Sequence, residues 1–96
     1  MHPAKVRRDR LQALTDLPNV GPAFAADLRL LGIDSPQQLA GKDAYSLYRQ
    51  LCDITQVRQD PCVLDTLMSM TDFIAGNPAR TWWQYTAERK QKWPSL

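Results

Sequence analysis

The chain has 96 residues, a formal net charge of +2 and 44% hydrophobic residues, which suits one domain, residues 1–96, with a core of its own. It holds no apolar run approaching the ~20 residues of a membrane span, and Met1-His2-Pro3-Ala4-Lys5 lacks the apolar centre of a secretory signal, so a cytoplasmic protein that does not enter the membrane is expected. Two cysteines, Cys52 and Cys62, and one histidine, His2, are too few for a four-ligand zinc site, and reduced thiols packed as small apolar side chains are expected.

Lys5 to Leu14 has the spacing for a first helix, with Val6, Leu11 and Leu14 on its apolar side. Leu17-Pro18-Asn19-Val20-Gly21-Pro22 then places a turn ahead of a second helix, Pro22 to Leu31, whose contacts are Phe24, Ala25, Leu28 and Leu31. Proline suits the first helical position because the N–H it lacks has no intrahelical acceptor there. Gly32 stops that helix. Ser35-Pro36 with Gln38 resembles a capping box and opens a short element that ends before Gly41. Asp43 to Thr55 is a longer helix with Ala44, Leu47, Tyr48, Leu51 and Ile54 on one face. Asp60-Pro61 opens the next, whose wide apolar surface makes it the expected central helix, and Gly76-Asn77-Pro78 ends it. Ala79 to about Lys90 reads as a last helix, with a tail from about residue 91. No stretch alternates with period two. The expectation is an all-α, compact bundle of five or six short helices.

Leu14, Leu17, Val20, Gly21, Ala25 and Leu28 carry a spacing that resembles the helix-hairpin-helix motif of the SAM-like folds, with the hairpin at about residues 11–31. "SLYRQLCDIT", "QDPCVLDTLMSM" and "RTWWQY", in that order, look like the pathogenicity-locus protein family, small bacterial helix-hairpin-helix proteins some of which carry a mitomycin-resistance label. The resemblance runs from about Thr15 to Tyr85. The C-terminal domain of the TfoX competence regulator is similar through the hairpin and "LGIDSPQQL". Such hairpins commonly grip the nucleic-acid backbone without reading bases. This chain departs from the common turn at Asn19, where a glycine is usual, and at Ala23, where a cation is usual.

Backbone N–H groups at the start of a helix favour an anion. Asn19, Val20, Gly21 and Ala23 are therefore the candidate contacts to a nucleic-acid backbone, with Arg7, Arg8, Arg10 and Arg29 supplying charge and Lys5 lying on the same basic arm. The charge is unevenly spread. Residues 1–10 and 80–96 are each net positive, whereas 11–79 set eight aspartates against Arg29, Lys42, Arg49 and Arg58. The termini must then fold back beside the turn before they can serve a polyanion. The alternative reading is a protein-interaction or scaffold module, in which the hairpin is structural and Trp82 or Trp83 meets a partner or a second copy. Adjacent helical residues diverge by about 100°, so the two indoles cannot share one face. A thiol-based redox role rests on Cys62 at a helix start, where an exposed thiol has a lowered pKa. Enzymatic chemistry has no footing: no histidine beyond position 2, no nucleotide loop, no nucleophile motif, and hence no cofactor is implied.

Overall fold

The computed structural model describes all residues from Met1 to Leu96. Four α-helices, α1 (Pro22–Leu30), α2 (Ala44–Thr55), α3 (Pro61–Ile74) and α4 (Thr86–Lys92), are joined by five 3-10 turns, and there is no strand. The architecture is all-α, with fewer full helices than the spacing suggests. The Cα radius of gyration is 12.4 Å, close to the ~13 Å of a folded chain of this length.

α3 is the centre. Every residue from Leu64 to Met70 is buried, which is the pattern of a helix enclosed on all sides. α2, α4 and the 3-10 turns Pro36–Leu39 and Trp82–Tyr85 pack around it. Leu14, Leu17, Val20 and Leu28 complete the core from the N-terminal third. The start signals act as the sequence implies. Asp43 Oδ2 accepts the Ser46 N–H at 2.9 Å, and Asp60 Oδ1 accepts that of Cys62 at 2.9 Å. α1 and α3 end on left-handed Gly32 and Gly76, and the N–H of the next residue reaches back five positions, Ile33 to Leu28 and Asn77 to Asp72. Only half of the box at Ser35 forms: Gln38 Oε1 accepts the Ser35 N–H at 3.1 Å, and the Ser35 side chain caps nothing.

Two expected helices differ. Lys5 to Leu14 is not helical. It holds two single 3-10 turns, Pro3–Lys5 and Arg8–Arg10, joined by extended residues, and a third follows at Leu14–Asp16. A lone helix of ten residues is marginal in water, and here a long-range anchor outcompetes it. Arg8 reaches the C-terminal end of α3, where its guanidinium donates to the carbonyls of Phe73 (2.7 Å) and Asn77 (2.9 Å) and lies 4.0 Å over the Phe73 ring. At the other end, Ala79 to Thr81 is not helical, Trp82–Tyr85 is a 3-10 turn and α4 begins only at Thr86. That path lets Tyr85 donate to Asp72 at 2.6 Å and Thr86 to Asp65 at 2.7 Å. Asp65 also pairs with Arg89 at 2.7 Å in an ion pair whose side chains are 1% and 8% exposed. These contacts clamp α4 onto α3.

Candidate nucleic-acid interface

Leu17 and Val20 are core residues, so the backbone between them must reverse tightly. Asn19 makes that reversal with φ 65°, a left-handed conformation that asparagine tolerates better than most residues. Its side chain turns inward. Nδ2 donates to Ser69 Oγ at 2.9 Å and to the Arg80 carbonyl at 2.8 Å. The turn is thereby tied to α3 and to the strand-like approach to Trp82.

The N-terminus folds back over the same turn. The Met1 ammonium donates to the Leu17 carbonyl at 2.9 Å and the Val20 carbonyl at 2.6 Å, and the Asn19 N–H donates to the Met1 carbonyl at 2.7 Å. Burial lowers the pKa of this ammonium, and the Asp16 carboxylate opposes the shift. The condition set by the charge distribution is met only at Met1, which lies on the turn, whereas at the C-terminal end Arg89 is buried against Asp65 and Lys92 lines a cavity between α3 and α4.

The arrangement divides the candidate contacts. The Asn19 and Val20 N–H groups are not free, because Met1 takes one and the Leu17 carbonyl the other, at 3.4 Å. Val20 is also buried. The N–H groups of Gly21, Ala23 and Phe24 donate to no acceptor in the chain, and Gly21 and Ala23 are exposed. Gly21 has φ −102° and ψ −176°, a conformation any residue adopts, and a Cβ built there meets nothing within 4 Å. The fold itself does not require a glycine at this position. Its absent side chain leaves room over the start of α1.

The cations divide as well. Lys5, Arg7 and Arg10 line one pocket of about 300 Å³ with Met1 and Asp16. Arg7 is bridged to Asp9 at 3.2 Å in an exposed pair. Asp16 Oδ2 faces inward, accepting the Gln12 and Ala13 N–H groups at 3.0 and 2.8 Å, and these bonds hold its pKa below the usual carboxylate value. Two expected cations are elsewhere. Arg8 is committed to the end of α3. Arg29 is in the last turn of α1, roughly 12 Å along the helix from Gly21 at 1.5 Å per residue.

A second groove, of about 330 Å³, runs along the turn and shares Met1 as a lining residue with the basic pocket. Gly21, Asn19, Thr81, Trp82 and Trp83 line it. The indoles are edge-to-face, with centroids 5.6 Å apart and planes at 86°. Trp82 is half-buried and Trp83 is 58% exposed, and, against the expectation that the two cannot share a face, the 3-10 turn lets both line this one groove. Their place beside the turn was not legible in the sequence, because it depends on the bond from Asn19 to Arg80. The largest cavity, about 570 Å³, lies elsewhere, between α3 and α4, where Lys42, Arg80 and Lys92 are mixed with Asp43, Asp72 and Glu88.

The thiol expectation is corrected. Cys62 is in the first turn of α3 but half-buried, and burial followed by the Asp60 carboxylate pushes its pKa up rather than down. Cys52 is also half-buried, its Sγ accepting the Gln59 N–H at 3.4 Å. Both cysteines are free. No helix is long and apolar enough to cross a membrane.

No solved structure matches the chain. A curated relative, the mitomycin resistance protein McrB of Streptomyces lavendulae, is 45% identical over 78 residues, which cover 81% of this chain and 74% of that protein. The sequence pattern of the pathogenicity-locus family matches residues 7–91. That span takes in Arg7 to Arg10 of the basic arm but not Met1 or Lys5, together with the turn, all of α1 to α3 and most of α4, and the chain belongs to the pathogenicity-locus family.

Proposed function

We propose that the Leu17–Gly21 turn and α1 act as the working half of a helix-hairpin-helix, and that the protein is a non-enzymatic module that docks on a nucleic-acid backbone without reading sequence. The observation that carries this reading is the joining of the basic arm to the start of α1 through Met1. Lys5, Arg7 and Arg10 share a pocket with Met1, whose ammonium bonds the Leu17 and Val20 carbonyls just ahead of a helix start whose Gly21, Ala23 and Phe24 N–H groups have no acceptor. Amide donors and cations together suit phosphate, and neither contact discriminates between bases.

The absence of a full first helix does not weaken the arrangement. The turn is held by Asn19 and Met1, so the donors are positioned without it. Asp16 is the one carboxylate in the basic pocket, and the bonds it accepts from Gln12 and Ala13 occupy one of its oxygens. The relative's mitomycin-resistance name is compatible with a protein that works on or near nucleic acid. The cytoplasm is the compartment this reading requires.

A salt series tests it. Anisotropy of labelled duplex DNA of several unrelated sequences should report similar affinities at low salt. Affinity should fall as salt rises, with a log–log slope of roughly −2 to −3 for two or three neutralised phosphates. Replacing Arg10 by glutamate should flatten that slope by about one or more. A salt-independent affinity, or no binding at low salt, refutes the reading.

A further inference from the structure

The groove beside the turn contains aromatic surface that phosphate docking does not use. Trp83 is the most exposed of the large apolar side chains, and Trp82 meets it edge-to-face, so the two rings form a corner. Thr81 lines the same groove, but its Oγ1, which has no hydrogen-bond partner, is buried and does not open onto it. Met1 lines both this groove and the separate pocket of Lys5, Arg7 and Arg10.

Charge complementarity selects the occupant. A nucleotide joins a flat aromatic face to an anion within one residue, and here an aromatic corner adjoins three cations. A double helix offers phosphates but keeps its bases stacked inside, so it would fill the cationic end and leave the corner empty. A strand with unpaired bases fills both. Aromatic stacking of this sort tolerates any base.

The geometry points to single-stranded nucleic acid as the preferred ligand: an unpaired base stacks in the Trp82–Trp83 corner while its flanking phosphates run past the start of α1 toward Lys5, Arg7 and Arg10. The inference rests on the backbone-docking reading and adds the substrate class.

The test compares labelled oligothymidylate with a blunt duplex of equal length at low salt, using the full chain with a free N-terminus. Oligothymidylate should bind roughly tenfold tighter than the duplex and quench tryptophan fluorescence, which is within the range of one base–aromatic stack. Trp83→Ala should remove that advantage and leave duplex affinity within about twofold, and Trp83→Phe should retain most of it. Because Trp83 is exposed, the thermal midpoint of each variant should match that of the parent, which keeps the comparison free of folding effects. Equal affinity for the two probes, or an equal loss on both in Trp83→Ala, overturns the inference and leaves backbone docking intact. Failure of both probes to bind overturns backbone docking as well. A Trp83-dependent dimer in light scattering assigns the corner to a second copy and also overturns the inference.

Discussion

Asn19 Nδ2 donates to the backbone carbonyl of Arg80 at 2.8 Å, joining residues 61 positions apart. That bond places the segment carrying Trp82 and Trp83 beside the turn, and the partner bond to Ser69 Oγ fixes both to α3. The aromatic groove therefore depends on the side chain of one residue whose backbone is left-handed.

Asn19 can be dissected by two substitutions. Asn19→Gly keeps the backbone and loses both side-chain bonds, and should cost about 1–2 kcal/mol. Asn19→Ala loses the bonds and also strains φ, and should cost about 1 kcal/mol more. Urea denaturation measures both values. Equal costs would mean that the backbone conformation contributes little.

The Asp65–Arg89 pair is buried and further bonded through Thr86. Breaking it from one side leaves an uncompensated charge. Asp65→Asn or Arg89→Met should each destabilise by about 3–5 kcal/mol, whereas Asp65→Leu with Arg89→Met should cost much less than the sum of the single changes. A double-mutant cycle read by denaturation checks this. Additive losses would contradict it.

Arg8 and Arg10 are two residues apart and should respond differently to substitution. Arg8→Ala removes the bonds to Phe73 and Asn77 and the stacking on the Phe73 ring and should cost about 1–2 kcal/mol of stability. Arg10→Ala should leave stability within about 0.5 kcal/mol, as an exposed surface change does, and lower nucleic-acid affinity. Parallel thermal melts and binding curves distinguish the two.

Stability should fall at both ends of the pH range. Tyr85, buried and donating to Asp72, and Tyr48, buried and donating to the Gln59 carbonyl at 2.5 Å, have raised pKa values. Their folded pKa lies above the unfolded value, so their contribution is whole below about pH 10 and is lost as pH climbs through the folded pKa. Asp16 and Asp60 are shifted the other way by the backbone N–H bonds they accept. Their contribution is present above about pH 4 and is lost as pH falls through the folded pKa. Urea midpoints across pH should show both limbs, with Tyr85→Phe flattening the alkaline one and Asp16→Asn the acidic one.

Much of the fold was legible because its signals are local. Asp43, Asp60-Pro61, Gly32 and Gly76 mark helix ends through contacts within a few residues, and the apolar run of α3 declares a central helix. The first and last helices depart from their local pattern where a distant partner decides. Arg8 reads as a solvated cation until the end of α3 is beside it, and Ala79–Thr81 reads as helical until Asn19 takes the Arg80 carbonyl. The candidate site follows the same division. Gly21, Ala23 and Arg10 could be named from the turn and the basic arm. That Asn19 and Val20 are unavailable as donors could not, because their N–H groups are occupied by Met1 and Leu17 in a pairing no spacing rule anticipates.

The most direct test of the account is Gly21→Asp, with stability and binding measured on the same protein. The backbone at Gly21 is extended and open, and aspartate is a better N-cap than glycine, so the variant should be as stable as the parent or more stable by a few tenths of a kcal/mol. Its carboxylate would occupy the free N–H groups at the start of α1 and repel phosphate. Affinity for nucleic acid at low salt should fall by about tenfold or more, the size of one charge-assisted hydrogen bond. A variant that folds as well as the parent and binds as tightly would contradict the claim that the start of α1 receives the phosphate.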